Sequence, residues 1–310
     1  MWLTTAATIL AQSLPDDEMF DPVRVINGIE IARPACEDME RRQTAIWVRV
    51  DGRGYCLRYY AAGLSPNGPN PLVAAWMSGD VMGGPTSVGH QQGLGVASMI
   101  EQSRTLSDRY AVPYIFLARP GTYGSAGKHY DVRHTPLEAR LVGAEIDALK
   151  ARYHVDRWVL GGHSGGGTLA AEFLARRDDI QCAVLSSPAA AYRARLEKRG
   201  FAHRLKTEVF FDPYDSIGRI RNQPGRRIFL IGDPRDTNIP FSSQQLYFDG
   251  LKKQGLDAWL VPLQKAPKPK YHSLVDFGET ATGMCASGAT TDAILKTLQE
   301  MPQQSERISN

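Results

Sequence analysis

Ser164 stands in Gly162-His163-Ser164-Gly165-Gly166, within the stretch VLGGHSGGG, where glycine fills five of the seven positions from 161 to 167. Glycine loses more backbone freedom on folding than any other residue, so this density signals a sharp turn or a close approach. The G-x-S-x-G spacing follows the apolar run RWVL and precedes TLAAEFLARR, where Leu169, Ala170, Phe173 and Leu174 recur at helical spacing. That context predicts a strand–turn–helix elbow that lifts the Ser164 hydroxyl clear of a sheet and sets the Gly165 N–H to stabilise an oxyanion. His163, beside the serine, is placed in the pocket wall. A phosphate loop would need Lys-Ser/Thr after its glycines, and a dinucleotide-binding turn would need G-x-G-x-x-G; neither is present.

A serine hydroxyl needs a general base, and in chains with this elbow the acid and then the base follow the serine. Of the seven histidines only His203 and His272 lie beyond Ser164. His203 sits in the arginine-rich RLEKRGFAHRLK, which reads as a solvated face. His272 sits in QKAPKPKYHSL, a loop after the last strand-like run, and is the expected base. It must be neutral to act, so activity is expected to rise with pH. Between the two residues, RRIFLIGDPRDTNIP supplies Asp233 and Asp236. Asp233 precedes Pro234 and reads as turn chemistry, whereas Asp236 lies further out and is the expected partner of the imidazole.

These motifs together make the chain resemble the α/β-hydrolase superfamily over about residues 45 to 300. DTNIP followed by YHSL places the resemblance on the prolyl oligopeptidase and dienelactone-hydrolase side. The resemblance implies a mostly parallel twisted sheet with helices on both faces, a small helical cap inserted at about 189–225, and an acyl-enzyme formed on Ser164. Ser78-Gly79-Asp80 stands where related hydrolases carry His-Gly-X, which implies the backbone N–H of Asp80, or of Val81, as second oxyanion donor. The alternative is a plain turn with Asp80 capping a helix. No tyrosine follows the third strand, and no propeller domain is present, so an esterase acting on small acyl esters is favoured. A peptidase and a non-catalytic binding protein remain as alternatives.

The elements that must position these residues follow from periodicity. Strands are predicted at 45–50, 55–62, 72–78, 113–119, 157–162, 181–187, 227–231 and 257–263. Helices are predicted at 90–109, 136–152, from the elbow to 177, at 242–254 and at 290–300. An initial hairpin followed by βα alternation implies a parallel sheet, and Ser164, Asp80, Asp236 and His272 all fall beyond the carboxyl ends of its strands. Arg119, Tyr123 and His129, in ARPGTYGSAGKHY, are expected at the pocket mouth. The basic cap residues Arg193, Arg195, Lys198, Arg199, Arg204 and Lys206 read as a solvated face, with a guanidinium reaching an acidic substrate group as the alternative.

With 310 residues, 43% of them apolar, the chain can bury one large core, expected over 45–301 after an N-terminal segment 1–44, with a disordered tail at 302–310. A net charge of +3 gives no case for nucleic acid, and no apolar run is long enough to span a membrane. The expected partner is therefore a small ester or amide. No cysteine or histidine spacing suits a metal, and no cofactor motif appears. MWLTTAATILAQ resembles a weak signal peptide, and the four cysteines are even in number, which suits a periplasmic or secreted protein; a cytoplasmic one is the alternative. Cys36 and Cys56 bracket the first strand and are candidates to pair, while Cys182 reads equally well as a small buried apolar residue.

Overall fold

In the computed structural model, residues 18–81, 91 and 93–305 are described; the signal-like start and the Gly83-Gly84-Pro85 segment lie outside them. Two short helices, α1 (Pro22–Asn27) and α2 (Arg33–Arg41), lead into strands β1 (Ala45–Val50), β2 (Arg53–Ala62) and β3 (Asn70–Met77). Then come α3 (Val96–Tyr110), β4 (Tyr114–Leu117), α4 (His129–Val132), α5 (Pro136–Tyr153), β5 (Val155–His163), α6 (Gly165–Leu174) and β6 (Ile180–Ser186). The last part runs through α7 (Tyr192–Lys198), β7 (Arg227–Gly232), α8 (Phe241–Lys253), β8 (Ala258–Pro262), α9 (Val275–Ala286) and α10 (Thr291–Glu300). The eight strands form one sheet in the order β1-β2-β4-β3-β5-β6-β7-β8. β2 pairs antiparallel with both β1 and β4, and every later pairing is parallel.

Side chains alternate across a strand, so a sheet buried on both faces needs apolar residues at nearly every position. β3 and β5 obey this rule. Val73, Ala75, Met77, Trp158 and Leu160 face a core shared with α5, α6 and α8, while Ala74, Trp76 and Val159 face a second core under α3, α9 and α10. This two-sided cover is the α/β-hydrolase fold.

Four expectations need correction. α3 begins at Val96, not near residue 90, because Gly95 and Ser98 close its first turn: Gly95 N–H donates to Ser98 Oγ at 2.9 Å. Asp80 is therefore no cap for it. α9 was not foreseen, since Gly278 and Gly283 weaken its helical signature; a Cβ at Gly278 would lie 2.4 Å from the Trp76 ring, so the glycine lets the helix sit against the sheet. Cys182 is not free: it forms a disulfide with Cys285, tying β6 to α9, and Cys36 pairs with Cys56 as anticipated. The C-terminal segment is ordered beyond 302, because Gln304 is only 4% exposed and exchanges two hydrogen bonds with Asp276, at 2.8 and 2.7 Å. Residues 306–310 lie outside the described residues.

Candidate active site

β5 leads straight into the elbow. Ser164 takes φ 50° and ψ −114°, a region costing a non-glycine residue on the order of 1–3 kcal/mol, so the surrounding backbone must hold it there. The hold is steric and polar. A Cβ at Gly162 would lie 2.4 Å from the Gly166 carbonyl carbon, and one at Gly166 would lie 2.3 Å from Met77 O, so both positions exclude any side chain. Ser164 N–H donates to Ser186 O at 2.8 Å, and Thr168 N–H closes the first helical turn on Ser164 O at 2.9 Å. Gly165 N–H precedes that bond and has no acceptor within α6, which leaves it available at the positive end of the helix.

Asp236, after β7, and His272, after β8, meet in space. His272 Nδ1 lies 2.6 Å from Asp236 Oδ2, and Asp236 Oδ1 accepts from the N–H groups of Asn238 and Ile239 at 2.7 and 2.9 Å. The His272 backbone is fixed as well, its carbonyl accepting from Ser187 Oγ at 2.8 Å, one residue past the Ser186 that holds Ser164. The His163 ring lies 4.9 Å from that of His272, and its Nδ1 is 3.3 Å from Ser186 Oγ. His272 Nε2 is buried with no hydrogen-bond partner among the described residues, Ser164 Oγ included. Asp233 is committed elsewhere: its carboxylate holds Arg235 and the Ala266 N–H, and burial, which would raise its pKa, is outweighed by these partners. His203 is exposed on a 3-10 turn.

The third-strand loop lies against the elbow, since a Cβ at Gly79 would stand 3.2 Å from Ser164 Cβ. Val81 packs inward, fully buried. The Asp80 carboxylate accepts from Arg119 at 2.9 Å, Arg133 at 3.2 Å and His134 Nε2 at 3.1 Å, and Oδ1 is the atom a Cβ at Gly165 would meet, at 2.4 Å. Burial would raise its pKa, but His134 and Arg119 hold it well below the usual carboxylate range. Arg119 is 0% exposed, not at a pocket mouth. Its guanidinium is shared by Asp80, Ser78 O and the equally buried Glu138, 2.7 Å away, because the loop after β4 folds inward. Tyr123 likewise turns into the core, edge-on to Phe116 at 4.8 Å, and His129 is buried, its Nδ1 3.2 Å from Pro120 O. Burial pushes the His129 pKa down. Arg133, His134 and Glu138 escaped the sequence reading; the only signal was the charge density of HYDVRHTPLEAR, which runs from α4 into the start of α5.

No protein-family model matches the sequence, and no curated protein matches it. Solved structures do match in fold. An esterase of Pyrococcus furiosus, Pf2001, superposes with a TM-score of 0.53 at 17% identity, over 84% of this chain and 94% of that one. Est1E from Butyrivibrio proteoclasticus, solved with ferulic acid, gives 0.52 at 16% identity, over 83% and 98%. Pyrococcus horikoshii acylaminoacyl peptidase gives 0.53 at 11% identity, over 87% of this chain and 44% of that one. At such identities the likeness establishes the α/β-hydrolase fold and nothing finer.

Proposed function

We propose that the protein is a serine hydrolase that cleaves small acyl esters through an acyl-enzyme on Ser164. What supports the reading is a serine at positive φ in the β5–α6 turn, whose neighbour His163 has its ring 4.9 Å from that of His272, a histidine 2.6 Å from a carboxylate. In this reading His272 removes the Ser164 proton as the hydroxyl attacks the ester carbonyl. Asp236 holds the imidazole in the tautomer that presents Nε2. The N–H groups of Gly165 and of Asp80 or Val81 stabilise the oxyanion. The alcohol leaves with the proton from His272, and water, activated by the same histidine, releases the acid. Two of the fold neighbours bear the name esterase and the third is a peptidase, which supports an ester substrate with a peptide as the alternative.

A fluorophosphonate probe is expected to label wild-type protein at Ser164. Ser164→Ala should abolish labelling and lower p-nitrophenyl butyrate hydrolysis on the order of a million-fold, with the circular dichroism unchanged. Full activity in that variant sinks the triad, and faster cleavage of aminoacyl amides than of esters replaces the esterase with a peptidase. All four cysteines are paired, which suits an oxidising compartment outside the cytoplasm. Protein taken from its native compartment should show no free thiol after denaturation; four free thiols would place it in the cytoplasm. Among the described residues, no helix is long and apolar enough to cross a membrane.

A further inference from the structure

The segment between β6 and β7 packs through Tyr192 and Leu196 on Ile239, next to the loop that carries Asp236, and its arginines divide into two kinds. Arg193 pairs with Asp215 and Arg204 with Glu208, as a solvated face would. Arg195 and Arg199 have no carboxylate partner among the described residues. Both guanidiniums instead hydrogen-bond one neutral oxygen, Asn238 Oδ1, at 3.2 and 3.1 Å, and Arg195 Nε adds a contact of 3.3 Å to Asn238 O. Two cations thus converge on a single amide oxygen, and no carboxylate among the described residues balances the half-buried Arg195, while Arg199 beside it is exposed.

Arg195 also sits between the two halves of the site. On one side Asn238 follows Asp236 by two residues and donates its N–H to the Asp236 carboxylate. On the other, the Arg195 guanidinium lies 5.6 Å over the Tyr192 ring, which stacks at 5.2 Å on His134, and His134 bonds Asp80 above Gly165. Burial and then Arg199 lower the Arg195 pKa, against the raising influence of Tyr192 and Asp80. A substrate anion would relieve that opposition.

We propose that Arg195, assisted by Arg199, binds a free carboxylate on the substrate, so that the preferred esters are half-esters of dicarboxylic acids. The inference rests on the serine-hydrolase reading for the reaction but not for the binding. A planar guanidinium fork matches a carboxylate with two parallel charge-assisted bonds, which a neutral amide oxygen cannot supply.

The kinetic test compares kcat/KM for mono-p-nitrophenyl glutarate and p-nitrophenyl butyrate in wild type, Arg195→Gln and Arg195→Lys. The expected glutarate-to-butyrate ratio exceeds one in wild type, falls as salt is raised, drops about tenfold or more in Arg195→Gln through KM, and recovers in part with lysine. If Arg195 only braces the Asp236 loop through Asn238, both substrates decline together and the ratio stays fixed, which overturns the proposal. Calorimetry with glutarate separates binding from catalysis. Glutarate should bind Ser164→Ala, and fail to bind when Arg195→Gln is added. No binding to Ser164→Ala refutes the carboxylate site even if esters are cleaved. Binding by a wild-type protein that cleaves no ester and takes no fluorophosphonate keeps the site and removes the hydrolase reading.

Discussion

Asp233 and Asp236 lie three residues apart, and both are buried and accept from the N–H two residues on, but Asp236 faces a histidine where Asp233 holds an arginine. The Asp236 carboxylate splits its two oxygens, one taking backbone N–H groups and the other facing His272 Nδ1. In Asp236→Asn the amide oxygen can keep the backbone bonds, but its NH₂ then faces Nδ1 and selects the wrong imidazole tautomer. The expected result is a loss of roughly 10⁴ in kcat with little change in melting temperature. Asp233→Asn removes a charge that is fully buried against Arg235 and the Ala266 N–H, so it should cost about 1–3 kcal/mol of stability and leave kcat near wild type. Kinetics and thermal melts of the two variants decide the matter; the opposite pattern would make Asp233 the acid. The choice was open to sequence reasoning because an Asp before proline has a local role of its own. Arg119 misled for the converse reason: no local rule distinguishes an arginine in a solvated loop from one whose carboxylate partners, Asp80 and Glu138, come from distant segments.

At the scale of elements, legibility followed the strength of local periodicity. β5 and α6 were readable because an apolar strand, a glycine-filled turn and a helical repeat adjoin one another, and each predicts the next. α9 was not, since VDFGETATGMCA holds two glycines and a run of small residues with poor helical propensity, and its stability comes from contact with Trp76 and Ser186. α7 and the 3-10 turns after it are short, so their apolar residues look sporadic until Tyr192 and Leu196 are seen packed on Ile239 of the acid loop. This packing anchors the segment between β6 and β7 against the loop that carries Asp236. α3 starts several residues later than its periodicity predicts, because a glycine–serine capping pair inside an apolar segment carries a weak signal. The four candidate site residues were legible by motif and order, while the elements that brace them became visible only through packing between distant segments.

For the whole molecule the telling residue is Glu145, in the core between α5 and the sheet. It is 0% exposed, and neither carboxylate oxygen has a hydrogen-bond partner among the described residues. Burial alone pushes its pKa well above the ordinary 4.5, so the folded protein keeps it protonated where the unfolded chain ionises it. The sign follows from linkage. Between 4.5 and the raised folded value the native state binds one more proton than the unfolded state, so this group's contribution to stability falls as pH rises, by about 1.4 kcal/mol per pH unit. Asp80, Asp179 and Asp233 have lowered values and contribute the opposite slope, lost as pH falls. Their effect cancels in a difference between two proteins that share them. Glu145→Gln, close in shape and unable to ionise, should therefore match wild type at about pH 4 and become progressively more stable than it as the pH rises above 4.5. Urea unfolding of both proteins across that range measures the difference directly. A constant offset, independent of pH, would mean that Glu145 ionises alike in both states and that its burial imposes no proton on the fold.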